Sequence, residues 1–146
     1  MGPSVLTGLS GGVDSTASVI LLQQQGYQVS ALYFDTTKGG SEEARTRAQE
    51  CARRLQIPFY AVNKAEEFEE KIIGYFCDSY CKGETPCPCV VCNPSFKLKT
   101  LLAAADAQGI DYIATGHYAG IYRDEDGVFY VKKAANRKKD QSYMLC

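Results

Sequence analysis

The sequence predicts an α/β domain built on a Rossmann-like parallel sheet with helices on both faces. Short apolar runs typical of buried strands alternate with longer segments whose apolar residues recur at helical spacing. A glycine-rich turn follows the first apolar run and precedes the first helix. Strands separated by helices are joined by crossover connections, which favour parallel pairing and a sheet covered on both faces. Ligands of such sheets bind beyond the carboxyl ends of the strands, so function is expected there.

Each strand of the sheet is predicted from one short apolar run. These runs are Ser4–Leu9, Val29–Phe34, Phe59–Val62 and Asp111–Thr115. Two later runs flank the dipeptide Asp126-Gly127, which is typical of a tight turn and therefore predicts a β-hairpin. The hairpin strands are expected in Tyr118–Tyr122 and Val128–Lys132.

Four helices are predicted between the strands. The first runs from about Ser15 to Gln25 and stops at Gly26, and its buried face is expected to carry Ala17, Ile20 and Leu21. The second follows the N-cap residue Ser41, and its apolar residues are Ala44, Ala48, Cys51, Ala52 and Leu55. The third is marked by Phe68, Ile72, Tyr75 and Phe76, and the fourth by Leu98, Leu101, Leu102 and Ala105.

Composition excludes several classes of protein. The 146 residues are 45% hydrophobic and 23% charged, which is the usage of an ordinary globular domain rather than of a disordered chain. A formal net charge of -1 argues against a globally basic nucleic-acid binder. No apolar run approaches the roughly 20 residues that span a bilayer, and the first residues lack the charged start of a signal peptide. We therefore expect no membrane association and a cytoplasmic location.

The glycine-rich turn is the first candidate site. It comprises Gly8, Leu9, Ser10, Gly11, Gly12, Val13, Asp14 and Ser15. Small residues let backbone amides approach an anion closely, and the N-terminus of the following helix adds a favourable dipole. The lysine of a Walker A loop and the spacing of a dinucleotide fingerprint are both missing. The turn therefore indicates a phosphate-binding loop of another type, and Asp14 is a candidate ligand for Mg²⁺ unless it only caps the helix.

Four blocks in this order resemble one protein family. Ser10–Ser15 resembles the pyrophosphate loop of the N-type ATP pyrophosphatases, which have the adenine nucleotide alpha hydrolase-like fold. The segments Gly83–Asn93, Asp111–Tyr118 and Lys139–Tyr143 resemble blocks of the bacterial tRNA-specific 2-thiouridylases of the MnmA/TrmU family. The resemblance implies that residues 1–146 form the ATP pyrophosphatase catalytic domain.

The activity implied by the resemblance is replacement of the 2-oxygen of the wobble uridine, at tRNA position 34, by sulfur. ATP adenylates the uracil oxygen, pyrophosphate leaves, and sulfur derived from a cysteine attacks the activated carbon. The implied cofactors and partners are ATP, Mg²⁺, tRNA and a persulfide sulfur-donor protein.

The same resemblance assigns residues of this chain to roles. Cys92 matches the nucleophile, as expected for a residue whose thiolate or persulfide is reactive near neutral pH. Phe34 and Gly116 match positions that contact ATP, together with Gly8–Ser15. Residues that match positions facing the target base or the tRNA are Cys87, Pro88, Cys89, His117, Lys139, Asp140 and Gln141.

The cysteines leave a second interpretation open. Five of the seven cysteines lie from Cys77 to Cys92, and Cys87 and Cys89 stand where the family usually has Asn and Asp. Cys87, Cys89 and Cys92 could instead hold zinc or an iron–sulfur cluster. The family also needs a partner cysteine well downstream, and Cys146 lies too near the Lys139 block to match it. We therefore expect a chain truncated at its C-terminal end, without the central and C-terminal domains of the family.

Two other functions compete with tRNA thiolation. An adenylating ligase of the same superfamily would share the glycine-rich loop but would not need Cys92. A binding module without catalysis would hold tRNA or a metal without consuming ATP. Five cations within eight residues are consistent with tRNA phosphate contacts or with a solvated surface: Lys132, Lys133, Arg137, Lys138 and Lys139.

Overall fold

The computed structural model describes residues 2–145 and contains the predicted parallel sheet. Its strands are β1 (Ser4–Gly8), β2 (Gln28–Asp35), β3 (Phe59–Asn63) and β4 (Tyr112–Ala114). They lie in the order β3-β2-β1-β4, and all three neighbouring pairs are parallel. A separate antiparallel hairpin is formed by β5 (Gly120–Arg123) and β6 (Phe129–Lys132). The predicted sheet and hairpin are both confirmed, whereas Cys146 lies outside the described residues.

The helices also follow the predicted order. They are α1 (Val13–Gln24), α2 (Glu42–Arg54), α3 (Ala65–Phe68), α4 (Gly74–Cys81), α5 (Pro88–Cys92) and α6 (Lys99–Gln108). A π-helical turn, Glu69–Ile73, joins α3 to α4, and a second one, Asn93–Leu98, joins α5 to α6. Ser41 caps α2 as expected, since its hydroxyl accepts a hydrogen bond from the Ala44 amide. Among residues 2–145, no helix is long and apolar enough to cross a membrane.

Alternation along β1 places a core on each face of the sheet. Val5 contributes to the cluster beneath α1 and α2, whereas the next residue, Leu6, packs with Leu101 and Ala105 of α6 on the opposite face. Successive side chains of a strand point to opposite faces, so a strand that is buried on both faces is apolar throughout. The predicted covering of the sheet by helices on both faces is therefore confirmed.

The predicted buried face of α1 is wrong. Ile20 and Leu21 are 41% and 56% exposed and Ala17 is also exposed, whereas Val19 is completely buried. Val19 packs with Leu22 against the core under β1 and β2, and these two residues lie three positions apart on one helical face. Apolar residues occur on both sides of α1, so helical spacing alone does not identify the side that faces the sheet.

Hydrogen bonds between Ser4 and Asp111 join the amino ends of β1 and β4. The Asp111 carboxylate accepts hydrogen bonds from the amide of Ser4 at 2.9 Å and from its hydroxyl at 2.7 Å, and the Ser4 hydroxyl accepts from the Asp111 amide. These hydrogen bonds hold the pKa of Asp111 below its ordinary value. They fix the register of β1 and β4 at the amino end, which sets where both strands end at the opposite edge.

Thr7, in the middle of β1, is fully buried and its hydroxyl oxygen has no hydrogen-bond partner among the described residues. Replacing Thr7 with Val removes this hydroxyl and keeps the branched shape of the side chain. We expect the free energy of unfolding to rise by about 1 kcal/mol, because an unpaired buried polar group costs about 1–3 kcal/mol. Urea unfolding followed by circular dichroism measures the change.

Thr7→Ser is the matched control, because it keeps the hydroxyl and removes the methyl group. We expect it to lower the free energy of unfolding by about 1 kcal/mol through the lost apolar contact. A stable Thr7→Ser variant together with a destabilised Thr7→Val variant would contradict the prediction.

Candidate active site

Three segments that are distant in sequence meet at the carboxyl ends of β1, β2 and β4. They line a cleft of about 300 Å³ whose walls are Gly8, Leu9, Ser10, Asp14, Ser15, Tyr33, Phe34, Lys97, Thr115, Gly116 and His117. Parallel strands bring their carboxyl ends to one edge of the sheet, which explains the convergence. The sequence-predicted residues Phe34 and Gly116 therefore lie in the same cleft as the glycine-rich loop.

Hydroxyl groups and tight backbone packing hold Gly8–Ser15, the candidate phosphate-binding loop, in shape. We refer to this segment as the phosphate loop. The Ser10 and Ser15 hydroxyls lie 3.2 Å apart, and the Gly12 amide donates to the Ser10 hydroxyl. Gly11 has a φ of 74°, and a Cβ there would lie 3.0 Å from the Cγ of Arg47. Because a side chain at Gly11 would be strained and crowded, glycine is required at this position of the loop.

Some residues of the phosphate loop line the cleft and others do not. Ser10, Asp14 and Ser15 line it, whereas Gly11, Gly12 and Val13 are not among its walls. Leu9 is buried in the core, and its amide donates to the Leu32 carbonyl. The N-cap of α1 is Gly12 and no side chain caps the helix, so Asp14 does not act as a cap.

Gly116 lies directly against the start of α1. A Cβ at Gly116 would lie 2.9 Å from the carbonyl oxygen of Asp14 and 3.2 Å from the hydroxyl of Ser18. A larger residue would push the end of β4 away from the phosphate loop. The cleft therefore depends on glycine at position 116, where the two walls approach each other most closely.

An aromatic cluster supports the opposite wall of the cleft. The ring of Phe34 lies 6.3 Å from that of Phe96, which in turn lies 5.3 Å from the ring of Phe68. Phe96 is buried, whereas Phe34 is partly buried and lines the cleft. Phe34 thus packs against the core and also forms a wall of the cleft.

His117 lies half-buried at the far end of the cleft. Its Nδ1 atom is 3.0 Å from the hydroxyl of Thr115. Burial lowers the pKa of His117, and the nearby Lys97 ammonium lowers it further. The imidazole is therefore neutral near pH 7, with its other ring nitrogen free of the Thr115 contact.

Cys92 is the last residue of α5 and is half-buried. Burial raises the pKa of its thiol, the Lys97 ammonium opposes that effect, and Cys89 adds to it. Cys92 is not among the walls of the cleft, while Lys97, five residues later, is. The π-helical turn Asn93–Leu98 therefore connects the thiol to the cleft.

The cysteine cluster of the sequence is not assembled as a metal centre. Cys87 is exposed and Cys89 is half-buried, and the six cysteines that the structure describes are all free. Within residues 2–145, no group of three or more His, Cys, Asp or Glu side chains is placed to hold a metal ion. The structure thus lends no support to the zinc or iron–sulfur alternative.

The segment Lys139–Tyr143 is hydrogen-bonded to the residues that follow β4. The amide of Tyr118 donates to the side-chain oxygen of Gln141, and the Gln141 amide donates to the Tyr118 carbonyl. Asp140 accepts hydrogen bonds from the Ala134 amide and the Ser142 hydroxyl. Asp140 and Gln141 therefore fix the chain path, whereas Lys139 is exposed and lies over the ring of Tyr118.

The other basic residues of this region are exposed too. No ion pair within residues 2–145 involves any of the five cations Lys132, Lys133, Arg137, Lys138 and Lys139. A shallow cavity next to them is lined by Asp14, Tyr118, Lys138, Lys139, Asp140, Gln141, Tyr143 and Met144. Asp14 belongs to this cavity and to the cleft, so the basic surface begins where the phosphate loop ends.

Two residues of the cleft were missed by sequence reasoning. Tyr33 is buried next to Phe34, and burial raises the pKa of its phenol. Lys97 follows Cys92 by five residues, a spacing that an α-helix would place on different sides. The sequence therefore offered no signal for Lys97, because the π-helical turn that aims it at the cleft has no recognisable sequence pattern.

Comparisons with known proteins agree with this geometry. The family model described as the tRNA methyl transferase HUP domain matches residues 3–146. The tRNA-specific 2-thiouridylase MnmA of Clostridium acetobutylicum is 41% identical over 99% of this chain and 44% of its own length. The MnmA protein of Clostridioides difficile is 44% identical over 99% of this chain and 43% of its own length. The chain thus spans less than half the length of these relatives.

Solved structures share the fold at low identity. A predicted tRNA methyltransferase subunit from Methanocaldococcus jannaschii superposes on 86% of this chain and 56% of its own, with a TM-score of 0.57 and 22% identity. The glutamine-dependent NAD⁺ synthetase of Acinetobacter baumannii covers 80% of this chain and 22% of its own, with a TM-score of 0.52 and 20% identity. At such identities these structures support the fold alone.

The single histidine of the chain allows a direct test of the electrostatics of the cleft. We expect the imidazole of His117 to titrate below 6.5 in the folded chain, because burial disfavours its charged form. Since the unfolded value of about 6.5 is higher, the contribution of His117 to stability is complete above that pH and is lost as the pH falls below it. NMR titration of the ring protons, with the urea-unfolded chain as reference, measures both values. Equal midpoints in the two states would contradict the prediction.

Proposed function

Because this chain belongs to the family described as the tRNA methyl transferase HUP domain, we propose that it performs the ATP-dependent step of tRNA uridine 2-thiolation. The observation that carries the proposal is 41–44% identity to named tRNA-specific 2-thiouridylases across 99% of the chain. The cleft supports it, because phosphate-binding and nucleotide-contacting candidates converge there. The chain spans less than half the length of each of these relatives. The complete thiolation reaction, which their names describe, is therefore proposed for this chain.

The phosphate loop is the proposed binding site for the triphosphate of ATP. The amide-rich turn precedes α1, a helix of 12 residues, whose N-terminal dipole favours an anion. Phe34 and Gly116 form the walls on either side, and the small size of Gly116 leaves room next to Asp14. We assign the base and sugar to the part of the cleft next to Phe34 and Gly116, because these residues match positions that contact ATP in the family.

Magnesium fits the residues present. The Asp14 carboxylate lines the cleft and makes no ion pair within residues 2–145, and carboxylate oxygens are ligands that Mg²⁺ prefers. When bound, the ion would neutralise phosphate charge. Asp14 itself would hold it at the junction between the cleft and the basic surface.

We propose that the uridine approaches from the basic surface formed by the five cations of residues 132–139. Exposed lysine and arginine side chains without acidic partners attract RNA phosphates. His117 lines the cleft and also a neighbouring cavity that extends to Asn136, and as a neutral imidazole it can accept a hydrogen bond from the base. Exposed Cys87, together with half-buried Pro88 and Cys89 at the start of α5, would contact the base once it leaves its stack.

Cys92 is the proposed sulfur nucleophile. In the proposed sequence, the uracil 2-oxygen attacks the α-phosphorus of ATP and pyrophosphate leaves. The outer sulfur of a persulfide on Cys92 then attacks the activated carbon, and AMP departs with the former uracil oxygen. A second thiol attacks the Cys92 sulfur, which breaks the sulfur–sulfur bond, leaves the outer sulfur on the uridine and forms a disulfide with Cys92. We propose that a persulfide protein supplies this sulfur in the cytoplasm, which is consistent with the free thiols of the described cysteines.

Thiolation by the chain tests the proposal. We expect 2-thiouridine in a nuclease digest after incubation with tRNA, ATP, magnesium, cysteine persulfide as the sulfur source and dithiothreitol as the second thiol, with pyrophosphate released only when tRNA is present. Cys92→Ala should abolish the thiouridine, whereas Cys77→Ala, at an exposed cysteine of α4, should leave it unchanged. Mass spectrometry of the nucleosides measures the product.

Two results would count against the proposal. Unchanged thiouridine formation by Cys92→Ala would exclude Cys92 as the nucleophile. Pyrophosphate release that needs a small carboxylic acid and an amine, but not tRNA, would favour an adenylating ligase instead.

A further inference from the structure

Lys97 occupies the one segment that joins the nucleotide cleft to the proposed nucleophile. It belongs to the π-helical turn Asn93–Leu98, which starts directly after Cys92 and continues into α6. Its side chain lines the cleft together with the phosphate loop and His117. The charge of Lys97 therefore lies on the wall of the cleft, in the helical turn that follows Cys92.

The backbone around Lys97 is held on both sides. The buried ring of Phe96 packs against Phe34 and Phe68. The buried amide of Asn93 donates a 2.6 Å hydrogen bond to the carbonyl of Met144. Because these anchors fix the main chain, movement of the Lys97 ammonium is confined to its own flexible side chain.

Lys97 is free to serve a ligand. Lys97 is partly buried, and its ammonium makes no ion pair or hydrogen bond in the described part of the chain. The described walls of the cleft contain one lysine, Lys97, no arginine, and one acidic residue, Asp14. A cleft that binds a triphosphate needs positive charge, and Lys97 is the side chain placed to supply it.

The same ammonium acts on the two titratable groups beside the cleft. Its charge lowers the pKa of the Cys92 thiol and that of the His117 imidazole. Cys89 also acts on Cys92, in the opposite sense. The segments packed against α5 carry Glu69, Glu70, Lys71 and Tyr143 as well, but none of these is among the groups that shift Cys92.

We propose that Lys97 couples the nucleotide cleft to Cys92, because its ammonium is shared between the phosphates of bound nucleotide and the cysteine sulfur. This inference rests on the proposed function and deepens it. While ATP is bound, the phosphates neutralise Lys97 and Cys92 takes up a proton from solvent. When pyrophosphate leaves, the ammonium becomes available to the sulfur, and Cys92 returns that proton. The Cys92 thiolate, which takes up the outer sulfur of the donor persulfide, is thereby formed after adenylation rather than before it.

The reactivity of Cys92 toward iodoacetamide tests this coupling, because only the thiolate is alkylated. The rate is followed near pH 7.5 by mass spectrometry of chymotryptic peptides, so that loss of Lys97 does not change the cleavage pattern. We expect saturating magnesium–ATP, without tRNA, to slow alkylation of Cys92 by about three- to tenfold, since one pKa unit changes the thiolate fraction about tenfold. Adenosine, which lacks phosphates, should leave the rate unchanged.

Variants at Lys97 separate charge from steric shielding. Lys97→Gln should slow alkylation without nucleotide, and ATP should cause no further slowing. Lys97→Arg should retain both the basal rate and the ATP effect. Lys99→Gln, which changes an exposed lysine two residues away, should behave as the unmodified chain.

Calorimetry measures whether ATP binds each protein. If ATP binds both and slows alkylation of Cys92 equally in the unmodified chain and in Lys97→Gln, the nucleotide only shields the thiol and the coupling is overturned. Equal basal rates in those two proteins would also overturn it. If ATP fails to bind the unmodified chain, the proposed function fails instead.

Discussion

Parallel pairing of β1 with both β2 and β4 is the constraint on which the rest of the structure depends. It brings the carboxyl ends of three strands to one edge, and each end continues into a segment with a different task. The β1 end becomes the phosphate loop, the β2 end presents Phe34, and the β4 end leads into Gly116 and His117. The Ser4–Asp111 hydrogen bonds at the opposite edge maintain this register, so a slip there would separate the walls of the cleft.

Charge is distributed in the site in a way that suits the proposed chemistry. The phosphate loop offers backbone amides and a helix dipole, while the side-chain cation comes from Lys97 on a different segment. That separation lets one positive charge serve the phosphates and the thiol at successive stages. Farther out, exposed cations begin at the edge of the cleft near Asp14, so a net charge of -1 is compatible with a local RNA-binding surface.

Patterns set by local sequence were predictable, and those set by packing were not. Apolar runs identified the strands, Ser41 identified the start of α2, and the glycine-rich turn identified the connection from β1 to α1. The buried face of α1 was predicted wrongly because apolar residues such as Val19 and Leu21 occur on both sides of that helix. Lys97 was missed because a π-helical turn aims it, and the internal bonding of Asp140 and Gln141 depends on contacts with distant residues.

Binding of ATP in this cleft is the claim on which the proposed chemistry rests, and NMR of the ¹⁵N-labelled chain titrated with magnesium–ATP tests it most directly. Amide shifts should be concentrated in Gly8–Ser15, Phe34 and Thr115–His117, with a further shift at Lys97. Shifts confined to the hairpin β5–β6 or to the surface near Asn136, with none in the phosphate loop, would contradict nucleotide binding at the carboxyl edge of the sheet.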